Sequence, residues 1–374
     1  MKKKIVLIDV TLTIPNNEYI SGIGKSVFWL VDALNKIDPA SIPFTIELYA
    51  VGIKSIGFKF YNWKFKHHII PIPSSINFGK INLACIFRNL FIKHDLFYIP
   101  CFTDYYLKNE KTVATYHDLD FYNRSSDFKK KSLYHTTAAH SSGIVCCSKF
   151  TESEVLSNIP EARSKTKVIY WGCDLNLFRE VSKDLISIVL EKYGISHRYF
   201  FACSCNTPRK NIKNALQAFK LYKINNPQSD YIFVLLWGNP PKSLIEEFQD
   251  EINRGLIRFL PFITDEELVT LYNGAALTVY VTRLEGFGFP ILESFACGTP
   301  VMTCKNSSLV EIGGEAAIYV GEDNIDQMAE TFSLIESNMF DIERFHACRK
   351  QQLKKFDWLN CARDYINFFN NNLK

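Results

Sequence analysis

The sequence lacks an uninterrupted apolar run of about 20 residues, which a membrane-spanning helix would need. Its charged start, MKKK, precedes only a short apolar run, so we expect no signal peptide. Low-complexity tracts and internal repeats are also missing. The 11 cysteines form no C-x-x-C pair, and free, buried thiols in a reducing compartment are the simplest expectation. Together these absences favour a cytoplasmic location.

A strong charge of either sign is missing too. The net charge of +4 is too small for a dedicated nucleic-acid-binding protein. It is also uneven, because residues 1–180 carry 23 Lys and Arg against 16 Asp and Glu, and the remaining residues carry 20 against 23. With 374 residues, 47% of them hydrophobic, we expect two globular domains that contact different partners.

Apolar runs rich in β-branched residues alternate with segments of helical spacing along the chain. KIVLIDV, FTIELYAV and TVATYHD are such runs in the first half, and a second series begins at YFFACSC. This alternation predicts an α/β fold with two doubly wound, Rossmann-like domains, at residues 1–180 and 181–355. We expect a ligand cleft where the carboxyl ends of the two sheets face each other.

The stretch TRLEGFGFPILESFACGTPV, residues 282–301, follows an apolar strand and opens a helix. Gly286 and Gly288 allow the backbone to turn and to approach a ligand closely. Pro290 suits the first helical position, and Gly298 suits the position just past the helix end. Because a helix N-terminus behind a glycine turn binds anions, a diphosphate fits this loop.

Two carboxylates eight residues apart frame this loop. Glu285 lies in the loop, and Glu293 lies one turn into the helix. Acidic side chains near a bound nucleotide commonly accept hydrogen bonds from ribose hydroxyls. The alternative is a purely structural Glu that complements the helix dipole in the first turn.

The same stretch resembles the E-x7-E motif of the retaining GT-B glycosyltransferases of family 4, whose usual form is close to EGFGLPxLEAMACGTPV. The resemblance implies a GT-B fold in which a last helix, residues 356–374, returns to the first domain. It also implies that Glu293 holds the ribose of a sugar nucleotide and that Glu285 contacts the transferred sugar. The donor-binding residues carried over from the loop are Gly286, Phe287, Gly288, Phe289 and Pro290.

A basic pair lies in NTPRKNIKNALQAF, residues 206–219, which resembles the family's PRKN stretch. Arg209 and Lys210 would hold the donor diphosphate and stabilise charge on the leaving group. A solvated surface pair is the structural alternative. Some family members carry a further Arg where this chain has Ser204, so the chain has fewer cations here or takes them from the other domain.

TYHDLDFY, residues 115–122, resembles the family's HDL loop. His117 would lie beside the donor sugar and Asp118 on the acceptor side, although a lone His is more often structural. Asp118 and Asp120 also form a D-x-D pair, which holds a metal in the unrelated GT-A transferases. Because those enzymes lack the second Rossmann-like domain, we expect no metal site and no cofactor.

SGIGKS, residues 21–26, ends like a phosphate-binding P-loop, but Tyr19 stands where that motif needs glycine. It resembles instead the family's GIGRY helix opening. We expect Gly22 and Gly24 to form a flexible turn that opens a helix near the donor phosphates. Lys25 is an additional cation on the acceptor side.

These resemblances imply transfer of a sugar from a nucleotide-diphosphate sugar to a saccharide or lipid-linked saccharide, with retention of anomeric configuration. The motif set is similar to that of mannosyltransferases of bacterial surface polysaccharide synthesis, which suggests GDP-mannose as the donor. Two alternatives stay open: another GT-B enzyme, such as a sugar-nucleotide epimerase or a phosphorylase, and a non-enzymatic nucleotide-sugar-binding protein.

Juxtaposed lysines and aromatic residues occur in GFKFYNWKFKHH, residues 57–68, and in FKKKSLYH, residues 128–135. Such stretches suit peripheral contact with an anionic membrane, here its cytoplasmic face. The structural alternative is a solvated face or the protection of a sheet edge.

Overall fold

A computed structural model describes residues 3–15, 20–52, 61–72, 77–78, 81–102, 110–203 and 205–374. The chain divides into two compact domains. The first comprises Met1–Gly172 and Phe356–Lys374, and the second comprises Cys173–Lys355. The sequence suggested a boundary at residue 180, a few residues after the one between Gly172 and Cys173 in the structure.

The first domain is built on a parallel sheet. Among its described residues, seven strands form this sheet, in the order β3-β2-β1-β6-β7-β8-β9, and a separate two-stranded antiparallel pair is formed by β4 and β5. The strands are β1 Ile5–Asp9, β2 Thr45–Val51, β3 Lys66–Ile70, β4 Asn77–Phe78, β5 Ile81–Asn82, β6 Leu96–Ile99, β7 Thr112–Tyr116, β8 Gly143–Cys146 and β9 Thr166–Val168. The chain order reverses between β1 and β6, so the loops that follow these strands lie at a switch point of the sheet.

Helices connect these strands and begin at polar caps. Ser21 accepts a hydrogen bond from the backbone N–H of Gly24 at the start of the first helix, and Ser148 caps a later one. The helices are α1 Gly22–Lys36, α2 Leu83–Phe91, α3 Asp120–Arg124, α4 Phe128–His140, α5 Lys149–Asn158 and, at the end of the chain, α15 Trp358–Leu373.

Helix α15 completes the core of the first domain. The hydroxyl of Tyr365 lies 3.2 Å from that of Tyr98 and 3.2 Å from Oγ1 of Thr115. The ring of Phe369 packs against those of Phe44 and Tyr98. The last helix therefore belongs to the domain that contains the start of the chain.

The second domain has its own parallel sheet. In its described part, six strands follow the order β12-β11-β10-β13-β14-β15. They are β10 Tyr199–Ala202, β11 Ile232–Leu236, β12 Ile257–Leu260, β13 Leu277–Tyr280, β14 Val301–Cys304 and β15 Ile318–Val320. All four residues of β10, β13 and β14 are buried, which explains their continuous apolar sequences.

Helices flank this second sheet. A capping box begins α10, where Thr264 and Glu267 each accept a hydrogen bond from the other's backbone N–H. The helices are α6 Lys183–Lys192, α7 Ile212–Asn225, α8 Lys242–Glu247, α9 Gln249–Asn253, α10 Asp265–Gly274, α11 Phe289–Ala296, α12 Leu309–Gly313, α13 Ile325–Glu336 and α14 Ile342–Leu353. The two doubly wound α/β sheets agree with the sequence prediction.

One of the two basic, aromatic stretches contains a strand at the sheet edge. Lys66 and His68 lie on β3, at one end of the strand order, and both contact the carboxylate of Glu47 on β2. This part of the stretch matches the edge-strand alternative, whereas residues 57–60 lie outside the described residues. No helix within the described ranges is long and apolar enough to cross a bilayer.

Candidate functional site

The strand order of the second sheet brings two sequence motifs together. Strands β10 and β13 are hydrogen-bonded neighbours, and the chain order reverses between them. The loop after β10 carries residues 206–211, and the loop after β13 carries residues 281–288. Open parallel sheets bind ligands where the loops at such a switch point meet. The predicted basic pair and the predicted glycine loop therefore share one site.

A buried ion pair joins the two loops. Nζ of Lys210 lies 2.6 Å from Oε1 of Glu285, and Nη2 of Arg209 lies 3.7 Å from Oε2 of the same carboxylate. The side chain of Glu285 is 9% exposed and that of Lys210 is 11% exposed. The pair is therefore largely shielded from water, while Arg209, at 23% exposed, lies closer to the surface.

Two residues at the end of β13 support this pair, and sequence spacing alone did not point to either. The hydroxyl of Tyr280 lies 3.2 Å from Nζ of Lys210. Thr282 donates a hydrogen bond of 3.0 Å to Oε1 of Glu285. Burial and the nearby Glu285 charge raise the pKa of Tyr280 well above its usual value, so the phenol keeps its proton.

The glycine loop has the predicted backbone features. Gly288 has a φ of +111° and immediately precedes α11, and Gly298, with a φ of +88°, follows the end of the helix. Pro290 is the second residue of α11 rather than the first, a position where its missing N–H still costs no helical hydrogen bond. The first N–H groups of the helix are thus presented next to the loop.

Ser308 fixes the shape of this loop from the start of α12. Its hydroxyl lies 2.8 Å from the backbone oxygen of Glu285 and 2.7 Å from that of Phe287. Ser308 is fully buried, and Phe287 packs its ring 5.2 Å from that of Phe289. The loop is therefore held by contacts on both sides of Gly286.

Glu293 contacts a different set of side chains. Its Oε2 accepts a 2.9 Å hydrogen bond from the hydroxyl of Tyr272, which lies on α10. Sγ of Cys203, just after β10, lies 3.0 Å from the same hydroxyl. Glu293 is half-buried on α11, as expected for a residue one turn into the helix.

The arrangement suits an anionic ligand that also carries hydroxyl groups. Lys210 and Arg209 supply positive charge, and the start of α11 supplies backbone N–H groups and the positive end of a helix dipole. Glu285 and Glu293 supply hydrogen-bond acceptors. The Arg that some family members carry corresponds here to Ser204, which lies outside the described residues.

In the first domain, His117 follows β7 and is buried. Its Nε2 lies 2.5 Å from the backbone oxygen of Pro100, and among the described residues its Nδ1 has no hydrogen-bond partner. Because a carbonyl oxygen only accepts, Nε2 carries the proton and Nδ1 presents a lone pair. Burial lowers the pKa of His117, which favours this neutral form.

The D-x-D residues make local contacts. Oδ1 of Asp118 accepts a hydrogen bond from the backbone N–H of Asp120, and the carboxylate of Asp120 pairs with Arg124 one turn further along α3. In the part of the chain that the structure describes, no group of three or more His, Cys, Asp or Glu residues is placed to hold a metal ion.

The helix opening near the N-terminus differs from the expected turn. Gly22 and Gly24 both lie inside the first turn of α1, because Ser21 caps the helix before them. A Cβ atom on Gly24 would lie 2.2 Å from the backbone oxygen of Leu12, whereas one on Gly22 would meet nothing within 4 Å. Gly24 is therefore required by close packing rather than by flexibility. Lys25 follows it in the same turn, and Tyr19 lies outside the described residues.

Comparison with known proteins places this geometry in a family. Residues 194–354 match the family model described as "Glycosyl transferases group 1". The second domain is a group 1 glycosyltransferase domain. This match contains the basic pair, the glycine loop and both acidic residues of the E-x7-E motif.

Relatives extend the similarity into the first domain. The chain is 29% identical over 273 residues to O-antigen chain mannosyltransferase B of Escherichia coli, which covers 70% of each protein. It is 30% identical over 197 residues to the serotype-specific mannosyltransferase WbdA of Escherichia coli, covering 51% of this chain but 24% of that longer protein. The expected similarity to glycosyltransferases, and to mannosyltransferases among them, is thus confirmed.

Solved structures support the fold over the whole chain. The structure of Anabaena Alr3699/HepE, in complex with UDP and glucose, aligns with a TM-score of 0.73 and covers 98% of this chain and 99% of that one, at 17% identity. A glycosyltransferase from Rickettsia africae aligns with a TM-score of 0.75 at 16% identity, and the alignment covers both chains completely. The GT-B fold expected for this glycosyltransferase is therefore confirmed.

Proposed function

We propose that this glycosyltransferase moves a sugar from a nucleotide-diphosphate sugar to a hydroxyl group of a saccharide or lipid-linked saccharide, with retention of anomeric configuration. The observation that carries the proposal is the cluster of Arg209, Lys210 and Glu285 at the switch point of the second sheet, next to the start of α11. Group 1 membership of this domain supports the same assignment.

The two cations and the helix N-terminus bind the donor diphosphate. Lys210 and Arg209 already face one carboxylate, so both are oriented toward a shared point of negative charge. Arg can bind a phosphate through two parallel hydrogen bonds, and Lys acts as a point charge. Together they stabilise the charge that develops on the departing diphosphate.

The two acidic residues bind the remainder of the donor. Glu285, held by Thr282 and Lys210, contacts hydroxyl groups of the transferred sugar. Glu293 accepts hydrogen bonds from the ribose. The backbone from Gly286 to Pro290 approaches the sugar and the diphosphate.

The first domain contributes residues near the acceptor. The lone pair on Nδ1 of His117 accepts a hydrogen bond from a sugar hydroxyl, since the ring is held neutral by burial. We assign Asp118 and Lys25 to the acceptor as well. His117 is positioned by the backbone oxygen of Pro100.

In the proposed reaction no side chain becomes covalently attached to the sugar. The acceptor oxygen attacks the anomeric carbon from the face that the diphosphate leaves, and the bond between that carbon and the diphosphate oxygen breaks. The proton of the acceptor hydroxyl passes to an oxygen of the leaving phosphate. The protein supplies positioning and electrostatic stabilisation, and neither a cofactor nor a metal is required.

GDP-mannose is the proposed donor, because several relatives are named mannosyltransferases. The structural neighbour that contains UDP and glucose makes a uridine nucleotide the principal competing donor. The relatives named for the O-antigen chain favour a growing surface polysaccharide as the acceptor.

The deciding experiment combines binding with turnover. A thermal-shift panel of GDP-, UDP-, dTDP- and ADP-sugars identifies the donor, because a bound ligand stabilises the folded protein by mass action. Release of nucleoside diphosphate is then measured with and without oligosaccharide acceptors. Release that depends on an acceptor is expected. Conversion of the donor into an isomeric sugar nucleotide would instead indicate an epimerase, and binding without turnover would indicate a non-enzymatic protein.

A matched pair of lysine variants tests the site itself. Lys210→Ala should weaken binding of the nucleoside diphosphate by roughly 10- to 150-fold, since a charge-assisted hydrogen bond contributes about 1.5–3 kcal/mol. Lys220→Ala removes a lysine from another ion pair, with Glu251, on the same domain and should leave binding unchanged. Equal effects of both variants would contradict the proposed site.

Peripheral contact with the cytoplasmic face of an anionic membrane is also part of the proposal. Phe128 at the start of α4 is 86% exposed and is followed by the exposed Lys129. We expect sedimentation with vesicles rich in phosphatidylglycerol and weaker sedimentation of the Phe128→Ser variant. Absence of binding by the unmodified protein would remove this part of the proposal.

A further inference from the structure

Tyr272 is a completely buried phenol whose hydroxyl reaches the predicted ribose ligand. It lies on α10, has no exposed surface, and packs its ring edge-on against Phe201 at 5.4 Å. Its hydroxyl lies 2.9 Å from Oε2 of Glu293 and 3.0 Å from Sγ of Cys203. A side chain from the core is thus connected to a half-buried carboxylate at the candidate site.

The direction of this hydrogen-bond chain follows from its members. An ionised carboxylate only accepts hydrogen bonds, so the single phenolic proton is donated to Oε2 of Glu293. The phenol oxygen then accepts from the thiol of Cys203. Burial raises the pKa of Tyr272 well above its usual value, and it does the same for Cys173, which also senses the charge of Glu293, so neither group competes as an anion near Glu293.

We propose that Tyr272 is a positioning residue that orients the carboxylate of Glu293 toward the donor ribose and so sets the preference for ribonucleotides over deoxyribonucleotides. The inference rests on the proposed function, in which Glu293 is the ribose ligand. The hydrogen bond from the phenol to Oε2 fixes the orientation in which the carboxylate meets the ribose hydroxyls. Without this contact, the glutamate side chain would lose rotamer freedom when it binds the ribose, and this entropy loss would weaken binding.

The test compares nucleotides that differ only in the ribose. GDP or UDP, whichever the unmodified protein binds more tightly, is titrated by calorimetry together with its 2′-deoxy and 3′-deoxy forms. The unmodified protein should bind at least one deoxy form about tenfold more weakly. In Tyr272→Phe, which keeps the ring, affinity for the ribonucleotide should fall about three- to tenfold, and the difference between ribo and deoxy forms should shrink to less than threefold.

Tyr199→Phe is the matched control. Tyr199 lies on β10 in the same domain, is 1% exposed, and donates its hydroxyl hydrogen over 2.8 Å to the backbone oxygen of Leu271. Its substitution also removes one buried hydroxyl contact, so it should lower the melting temperature. It should leave the preference for ribonucleotides unchanged. A loss of preference in both variants would indicate general loosening of the domain and would overturn the inference.

Glu293→Ala separates the inference from the function on which it rests, because it removes both oxygens that could accept a hydrogen bond from the ribose. If the preference survives in Glu293→Ala, or is absent from the unmodified protein, the ribose role of Glu293 itself is wrong. If it is lost in Glu293→Ala but kept in Tyr272→Phe, the inference alone is overturned. Should Tyr272→Phe not fold, Cys203→Ala removes the thiol that holds the phenol. This variant must then reduce the preference at least twofold, and an unchanged preference overturns the inference.

Discussion

Lys210 and Glu285 are 75 residues apart in the sequence, yet Nζ of the lysine lies 2.6 Å from Oε1 of the glutamate. Each belongs to a different loop at the switch point of the second sheet. Because both side chains are largely buried, removing one charge leaves the other without full compensation. An isosteric substitution of Glu285 therefore tests its charge with the least change in shape.

Glu285→Gln should lower kcat by roughly 100-fold and change the affinity for the nucleoside diphosphate by less than about threefold, as expected when an interaction acts mainly in the transition state. The amide keeps the size of the side chain and loses the negative charge that faces the sugar. Steady-state kinetics and calorimetry measure the two effects. Glu251→Gln alters another Glu–Lys pair of the domain, one in which the glutamate is buried, and should leave kcat unchanged. Unaltered kcat in Glu285→Gln would contradict its assignment to the sugar.

Two glycines of α1 should respond differently to alanine. Gly24→Ala places a Cβ atom 2.2 Å from the backbone oxygen of Leu12 and 2.6 Å from a methyl group of Ile20, and should destabilise the first domain by about 1–3 kcal/mol. Gly22→Ala meets no neighbour and should be neutral or stabilising by up to about 1 kcal/mol, because alanine favours helix. Urea midpoints measure both. Equal midpoints would show that Gly24 is not tightly packed.

His117 should make stability depend on pH. Burial lowers the pKa of His117 in the folded chain below the ordinary histidine value of about 6.5, so its contribution to stability is complete above about pH 6.5. As the pH falls below that value, the unfolded chain binds a proton that the folded chain does not, and stability is lost. His117→Gln can still donate to Pro100 and does not titrate. Between pH 7 and pH 5.5, the urea midpoint of this variant should fall less than that of the unmodified protein. If the two urea midpoints change in parallel with pH, His117 is not a buried, neutral side chain.

Transfer should proceed in the presence of EDTA, because the cations assigned to the diphosphate are side chains. The carboxylate of Asp120 is already paired with Arg124, and that of Asp118 bonds to the backbone. The measurement is the release of nucleoside diphosphate after dialysis against EDTA, with and without added Mn²⁺. Strict dependence on Mn²⁺ would favour the D-x-D interpretation.

The local features of the glycine loop could be predicted from the sequence because they depend on neighbouring residues. Gly288 takes a left-handed φ, and Gly298 does so just past the helix, as the pattern indicated. Gly22 and Gly24 open a helix as expected, but Ser21 caps it before both and Gly24 packs closely against Leu12. The sequence alone does not show that an N-cap and a close approach by Leu12 fix this segment.

The supporting side chains could not be predicted, since their contacts depend on the fold. Tyr272 reaches Glu293 from the preceding helix, and Tyr280 reaches Lys210 from the neighbouring strand. Neither shows a spacing that distinguishes it from a core aromatic. Strand β3 could be offered only as an alternative for its basic stretch, because the alternation that marks an edge strand is interrupted by Lys66, His67 and His68.

Helix α15 has a consequence for how the protein is made. Tyr365 and Phe369 fill the interior of the first domain, although they are synthesised after the whole of the second domain. During translation the second domain, which is continuous in sequence, can fold as soon as it leaves the ribosome. The first domain begins earlier in the chain, but its interior stays incomplete until α15 has emerged as well.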